Sequence, residues 1–507
     1  MSRSTDLFSK PIDYDTVNED GYPAFEATAE RRYLQLLMCN TLTSQFYATE
    51  GRLLAESIRW HRMAAAADPE FMAKALVYTR QKGYMRLQPV LGLAILSELD
   101  DKSWFRAAFH KVILIPSDLQ DLFVILESLG RGHGGRSIKD EVSSWLQGLT
   151  PYWTLKYNGR GRGYNLADIV RLTHPIPSTP ELSTLFRYLA RGDVPLEELP
   201  DQLRYFEMAK RTGTPNDRAQ AIAQGRLPHE VVTGTFNMDP TLWSVLVPNL
   251  PLGALLRFLR TLERHQVLDE HRGPITERLM NPSAIKAAKL HPVALYKAWS
   301  AVSAHWLKAA LEGAISESVK SLPRIPGRTA ILLDTSGSMA GVQALAALFA
   351  LTLHEQSADA VLIEFGSAAQ AIPVSEMIAS KGFLGAASGF EAMGYTDLGA
   401  PIRMLHQLRP TVDHVVVVTD EQQNAGPRFV EEMKTLRAAT ETPVRSVVVD
   451  VQAARGAIAP PDDPLTWWVY GWSDIVPTHV WSILTQNLDQ SGEVRAVQLD
   501  FAEEEEA

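Results

Sequence analysis

Residues 331–340 read ILLDTSGSMA, and the change of character inside those ten positions decides the fold. Ala330 to Leu333 are aliphatic and suit a strand buried on both faces. Asp334 ends that run, and Thr335, Ser336 and Ser338 place three hydroxyls around it. The following stretch, GVQALAALFALTLHEQ (341–356), has the length and composition of a helix. A core strand that feeds an oxygen-rich loop and then a helix is the opening of an α/β unit.

Three more β-branched runs follow, AVLIEF (360–365), HVVVVT (414–419) and VRSVVVD (444–450), separated by helical stretches such as PRFVEEMKTLRAA (427–439). That alternation predicts a doubly wound α/β domain with a mainly parallel sheet. Ligands of such sheets sit beyond the carboxyl ends of the strands. Asp334 ends the first strand and Asp420 follows HVVVVT. Thr396 lies in GYTDLG (394–399), a turn before the helical LGAPIRMLHQL. Asp334, Ser336, Ser338, Thr396 and Asp420 thus form an oxygen-only set, which suits Mg²⁺, with Ca²⁺ or Mn²⁺ as alternatives, and not zinc. The competing structural reading is that the hydroxyls only cap the next helix. DTSGS, a turn threonine and an aspartate after a β-branched strand resemble the metal-ion-dependent adhesion site of von Willebrand factor A domains. That resemblance assigns the same five residues as ligands, with a coordination position open to an acidic group of a partner.

Upstream, residues 25–320 are patterned as helices. In SDLQDLFVILESLG (117–130), Leu119, Leu122, Phe123, Leu126 and Leu129 form one stripe. Ser117 with Gln120 reads as its capping box, and Gly130 as its stop. ERRYLQLLMCNTL (30–42), FMAKALVYTRQ (71–81), LQPVLGLAILSEL (87–99), PELSTLFRYLARG (180–192) and PLGALLRFLRTLERH (251–265) repeat the pattern. Short Pro- or Gly-bearing connectors between them predict stacked helical hairpins, an architecture with broad surfaces for extended partners. SLPRIPGR (321–328) breaks the pattern and reads as the domain boundary.

A chain of 507 residues exceeds one core, so at least two domains are expected. One cysteine, Cys39, excludes an internal disulfide framework and fits a reducing compartment. The N-terminus has no apolar signal-peptide core and no run is long enough to span a membrane, which leads to a cytoplasmic expectation. The net charge of −10 conceals an asymmetry. Residues 327–507 hold 10 Lys and Arg against 24 Asp and Glu, whereas 1–326 hold 39 against 35. Different partners for the two parts follow, or simply an acidic solubilising surface on the second.

The strongest basic concentration is 131–174, where Arg131, Arg136, Lys139, Lys156, Arg160, Arg162 and Arg171 face only Asp140, Glu141 and Asp168. His133 and His174 add donors, and Trp145, Tyr152, Trp153, Tyr157 and Tyr164 are interleaved. Phosphates attract the cations and unpaired bases stack on aromatic planes, so RNA contact is the functional reading. The structural alternative makes the aromatics core and the charges a solvated face. KYNGRGRGYN (156–165) is too glycine-rich for a helix and lacks the Walker lysine, so it reads as a basic loop and not an ATP site. No nucleophile elbow occurs, and no enzyme is expected.

The helical part followed by the α/β part is similar to the Ro autoantigen family, in which a TROVE module precedes a von Willebrand factor A domain. GRSIKDEVSSWL (135–146), NLADIVRLTHPIP (165–177), VPNLPLGALLRFLRTL (247–262) and AKLHPVALYKA (288–298) carry the likeness. DTSGSM and DEQQNAG depart from the family's usual wording yet keep the proposed ligands. The resemblance implies an N-terminal arm at 1–24, a HEAT-like helical-repeat ring at 25–322, the metal-site domain at 327–502 and an acidic tail at 503–507. It implies binding of small noncoding Y-like RNA on the outer ring surface and of single-stranded ends of misfolded RNA in the hole, in RNA quality control or decay. Bacterial members work with an exoribonuclease through the Y RNA. Arg131, Arg136, Lys139, Lys156, Arg160, Arg162, Arg171 and His174 become the RNA-facing set, with Arg171 and His174 on one helix face. The alternative function is an adhesion-type module whose metal site grips an acidic protein ligand.

Overall fold

The computed structural model describes residues 14–18, 20–39, 50–159, 163–288, 290, 292–320, 322–408, 411–440, 443–452, 456–460, 463–471, 475–486 and 490–501. Two compact units emerge: Met1–Glu56 with Val319–Ala496, and Ser57–Ser318 with Val497–Ala507. The described residues between 14 and 56 therefore share a unit with the sheet, whereas the sequence suggested a helical module from residue 25. The cause is the helix Ala29–Cys39, whose Tyr33, Leu34, Leu37 and Met38 are buried and which lies against the last strand.

That unit is built on strands β1 (Thr16–Val17), β2 (Pro23–Ala24), β3 (Ile325–Asp334), β4 (Ser357–Phe365), β5 (Ala369–Ile372), β6 (His414–Thr419), β7 (Arg445–Asp450) and β8 (Thr466–Tyr470). β1 and β2 form a separate antiparallel pair; the main sheet has the order β5-β4-β3-β6-β7-β8. All its pairings are parallel except β4 with β5. The register sets Leu333 opposite Val418 and Asp334 opposite Phe365. β3 starts at Ile325, so the presumed linker 321–328 already contributes the beginning of the central strand. The reason is pairing: Ile325 and Arg328 lie opposite Ser357 and Asp359 despite an irregular register between them. Helices Gln343–Gln356 and Ile475–Gln486 pack on the sheet and on each other.

The other unit is helical. Helices pack mostly on neighbours one to three positions along the chain, as stacked hairpins require. Among the described residues, six begin with the same chemistry. Asp68, Thr150, Thr179, Thr214, Asp239 and Asn281 each accept an N–H of the first turn and each precede a proline. The side chain satisfies an orphan donor, and the proline occupies the position whose N–H has no helical partner.

One expected cap is replaced. The helix runs Pro116–Ser128, and Asp118, not Ser117 with Gln120, closes its start. The Asp118 carboxylate accepts from Leu114 and Ile115 N–H at 3.0 and 3.1 Å. Arg80 and Arg86 pair with it at 2.9 and 3.3 Å, so a fully buried charge is neutralised and hydrogen-bonded.

A second buried polar group couples this unit to pH. His61 Nε2 sits 3.0 Å from Gln88 Oε1, and Gln88 Nε2 donates to Ser57 at 2.9 Å. Gly92 makes room, because a Cβ there would lie 2.8 Å from the ring. Burial pushes the imidazole down to about 4 from 6.5. The unfolded chain therefore takes up a proton first as pH falls, and stability is lost between pH 6.5 and 4, by about 3 kcal/mol at the lower end. The His61 contribution is read as a difference: between pH 7 and pH 5 the unaltered chain should lose more thermal stability, or gain less, than His61→Gln.

Candidate functional site

Asp334, Ser336, Ser338 and Asp420 lie together, and the turn of Thr396 is joined to the loop between them. Asp334, Ser336, Ser338, Thr396 and Asp420 are all buried at the carboxyl end of β3 and β6 or in the loops beyond. The 335–337 loop is stitched to the 393–396 turn by Met393 N–H to Thr335 O at 2.8 Å and Gly337 N–H to Gly394 O at 3.1 Å. Those two bonds bring Thr396 beside DTSGS. Ser336 and Ser338 hydroxyls are 3.3 Å apart. Asp397, the acid next to Thr396, is spent elsewhere: it accepts from Gly399 and Ala400 N–H at 3.0 Å and pairs with Arg403 at 2.9 Å.

Asp334 is satisfied on both oxygens, by Ser336 N–H at 2.9 Å and by the Thr419 hydroxyl at 2.6 Å. Asp420 is not. Its Oδ1 accepts from Gln422 N–H at 3.2 Å, while its buried Oδ2 has no hydrogen-bond partner. Burial, together with the Asp334 carboxylate, pushes Asp420 up to about 7, and burial raises Asp334 as well. Behind them, burial holds Glu421 at about 7 and lifts Asp450 well above its usual value. A buried carboxyl oxygen without a donor is a position at which a cation would supply the missing partner. No group of three or more His, Cys, Asp or Glu with metal-holding geometry occurs among the described residues. A cation would therefore rest on two carboxylates and three hydroxyls, a hard donor set that fits Mg²⁺ or Mn²⁺.

Sequence reading missed three contributors. Thr419 holds Asp334, Asn424 Oδ1 accepts the Thr396 N–H at 2.8 Å, and Gln452 Nε2 donates to Ser338 O at 2.9 Å. The first sits in the strand directly before Asp420 and was legible by its position. The other two depend on loop closure and leave no sequence signal.

The basic stretch divides. Arg131 is a structural residue: it donates to Ala94 O at 2.9 Å and to the Ser97 hydroxyl at 2.6 Å, closing the end of helix Leu87–Leu96. Lys156 pairs with Glu230 at 2.9 Å and lies over the Tyr152 and Tyr157 rings. Trp145 is buried, stacks on Trp153 at 5.4 Å and donates to Ile113 O. Most of the interleaved aromatics are thus packing. Arg136, Arg171 and His174 are exposed and Lys139 is half-exposed. Arg171 pairs with Asp168 at 3.3 Å. His174 does not share the helix face with it, because the helix ends at Thr173 and His174 caps it with φ 50°. Arg160 and Arg162 lie outside the described residues. A second exposed row went unnoticed: Arg257, Arg260 and Arg264 on helix Leu252–Arg264, spaced three and four apart. In the same unit Lys308 Nζ lies 4.6 Å from the Trp299 ring centroid and Arg272 5.4 Å from that of Trp306.

Residues 235–321 match the profile described as the TROVE domain, and residues 328–481 match that of the Ro60 vWA domain. The two matches follow one another along this chain. The RNA-binding protein RO60 of Deinococcus radiodurans is 28% identical over 304 residues, 54% of this chain and 56% of that protein. The match thus spans little more than half the length of that relative. The crystal structure of the Deinococcus radiodurans Ro (RSR) protein aligns with a TM-score of 0.67 at 20% identity, over 91% of this chain and 100% of that one, which shows a common fold. The Arg257 row lies inside the TROVE match; residues 131–174 lie before it.

The division of the basic stretch is checked by Arg131→Ala. It should cost the full chain about 1–2 kcal/mol of stability, read in urea unfolding as a lower midpoint, since two helix-end acceptors lose their donor.

Proposed function

We propose that the protein is an RNA-binding protein of the Ro type that acts by binding and not by catalysis. Its ligands are a small noncoding, Y-like RNA and the single-stranded ends of misfolded RNA, in RNA quality control or decay in the cytoplasm. The observation that carries this reading is the succession of TROVE and Ro60-type domains along one chain. The likeness to the RNA-binding RO60 protein of Deinococcus supports it. No helix among the described residues is long and apolar enough to cross a membrane. Exposed Arg136, Arg171, Arg257, Arg260 and Arg264 supply the phosphate contacts, with His174 and Lys139 beside the first two. An exoribonuclease recruited through the RNA is part of the same proposal.

Asp334, Ser336, Ser338, Thr396 and Asp420 would hold a divalent cation, Mg²⁺ by preference. Bound there, it would neutralise the buried carboxylates and offer a Lewis-acidic position to an acidic group. A second reading, capture of an acidic protein side chain at this site, is favoured by Met393 and Tyr395. They flank the turn that carries Thr396 and are 65% and 68% exposed.

Filter binding of a structured small RNA against salt tests the main reading. Affinity should fall steeply with ionic strength, and each lost phosphate contact should reduce the logarithmic slope by about 1. Replacing Arg257, Arg260 and Arg264 by glutamine, or Arg136 and Arg171 by alanine, should weaken binding. Salt-independent affinity unchanged in both variants overturns it. Separately, saturating Mg²⁺ at about 100 times its dissociation constant should raise stability by about 2.7 kcal/mol over chelator, and Asp420→Asn should abolish the rise.

A further inference from the structure

The strands β1 and β2 form a small hairpin near the N-terminus whose turn is held from within. Asn18 Oδ1 accepts the N–H groups of Asp20 and Tyr22 at 3.1 and 2.9 Å, and Gly21 takes φ +76°. The hairpin is then bonded, contact after contact, to the loop that follows Asp420. Asn18 Nδ2 donates to Gln423 O, Asn424 Nδ2 to Asp20 Oδ2 and the Tyr22 hydroxyl to Gly426 O, each at 2.7 Å. The Arg428 guanidinium lies 5.0 Å from both the Tyr14 and Tyr22 ring centroids.

Asn424 is the pivot. Its amide nitrogen reaches the hairpin at Asp20, and its amide oxygen accepts the backbone N–H of Thr396. Thr396 O in turn accepts the N–H groups of Asn424 and Ala425 at 3.1 Å. One side chain therefore spans the hairpin and the turn that presents the Thr396 hydroxyl.

A second route reaches the other side of the same site. Phe25 and Ala457 exchange backbone hydrogen bonds of 3.0 and 2.9 Å. The adjacent Ile458 N–H donates to Glu421 Oε2 at 2.9 Å. Glu421 directly follows Asp420 and holds φ 60°, a left-handed conformation that a glutamate keeps only when its surroundings enforce it. Gly456 allows the approach, since a Cβ there would lie 2.9 Å from the Ala24 Cβ. The hairpin thus fastens both segments that deliver Thr396 and Asp420.

We propose that the N-terminal hairpin is a positioning clamp for the cation site: through Asn424 it sets Thr396, through Ala457 and Ile458 it sets the segment of Asp420, and cation binding in return orders the hairpin. The proposal rests on the reading of Asp334, Ser336, Ser338, Thr396 and Asp420 as a cation site. Reciprocity follows from linkage, because a group that favours the bound geometry is itself favoured by binding.

Mn²⁺ titration of the full chain by calorimetry, with amide hydrogen exchange of residues 20–26 measured with and without Mn²⁺, tests it. Asp20→Ala should weaken Mn²⁺ binding about fivefold or more. Asp20→Asn, which keeps an acceptor for Asn424 Nδ2, should restore affinity, so that hydrogen bonding and not charge is read. Gly456→Val, which drives a side chain into the hairpin, should weaken binding as well. Mn²⁺ should slow exchange at 20–26 in the unaltered chain and leave it unchanged in Asp420→Ala. Wild-type affinity in both Asp20→Ala and Gly456→Val, with exchange at 20–26 indifferent to Mn²⁺, overturns the clamp while Mn²⁺ binding lost in Asp420→Ala keeps the cation site. Absence of Mn²⁺ binding in the unaltered chain overturns both.

Discussion

Parallel pairing of β3 with β6 at the middle of the sheet brings two carboxylates to adjacent strand ends, out of water. The groups that act on them are hydroxyls, N–H donors and each other. Burial and mutual repulsion both oppose charging such a pair, which is why the Asp420 value is raised. Much of the surrounding architecture makes sense as support for that placement: the stitched 335–337 and 393–396 loops, Thr419 under Asp334, and the strained Glu421.

The same end of the sheet changes the meaning of the chain's charge. Asp334, Asp397, Asp420, Glu421 and Asp450 are all buried. The acidic surplus of residues 327–507 is therefore partly internal, and a solubilising surface explains less of it than composition suggests. Glu421 illustrates how such charge is tolerated. Trp468 Nε1 donates to both its oxygens at 3.1 Å, and Arg31 lies 4.1 Å from that indole ring, its charge lowering Glu421 against the effect of burial.

What the sequence disclosed follows a physical division. Strands flanked by their own helices, such as His414–Thr419, are written in continuous β-branched runs and were found at those bounds. The short strands Ala369–Ile372 and Thr466–Tyr470 were not: AQAI lacks that signal and exists through pairing with β4, whereas TWWVY is aromatic and β-branched throughout and was passed over. The placement of Asp334 and Asp420 was legible because they sit at fixed offsets from strand ends. The basic face was legible only as composition: the same spacing that suggested RNA also describes Arg131, which caps a helix, and Lys156, which serves Glu230. Side-chain destination is tertiary information, and seven cations in one stretch do not reveal it.

The helical unit shows the complementary case, in which a local rule is strong enough to survive any tertiary arrangement. Among the described residues, a short oxygen-bearing side chain followed by proline starts a helix at six places from Asp68 to Asn281, and each time the same N–H is capped. Such starts fix where each helix begins without specifying what covers its outer face. That face is then free to carry cations, as at Arg257, Arg260 and Arg264, whose helix buries Leu255, Leu256, Leu259 and Leu262 on the opposite stripe. Exposed arginines at spacings of three and four project from one side of a rigid rod, so their separation is set by helix geometry and matches an extended polyanion better than a compact ligand. The sheet unit obeys the reverse logic, gathering charges of one sign from several strand ends into a single buried point. One protein thus spreads positive charge along the outside of helices and gathers carboxyl groups at the carboxyl ends of its central strands.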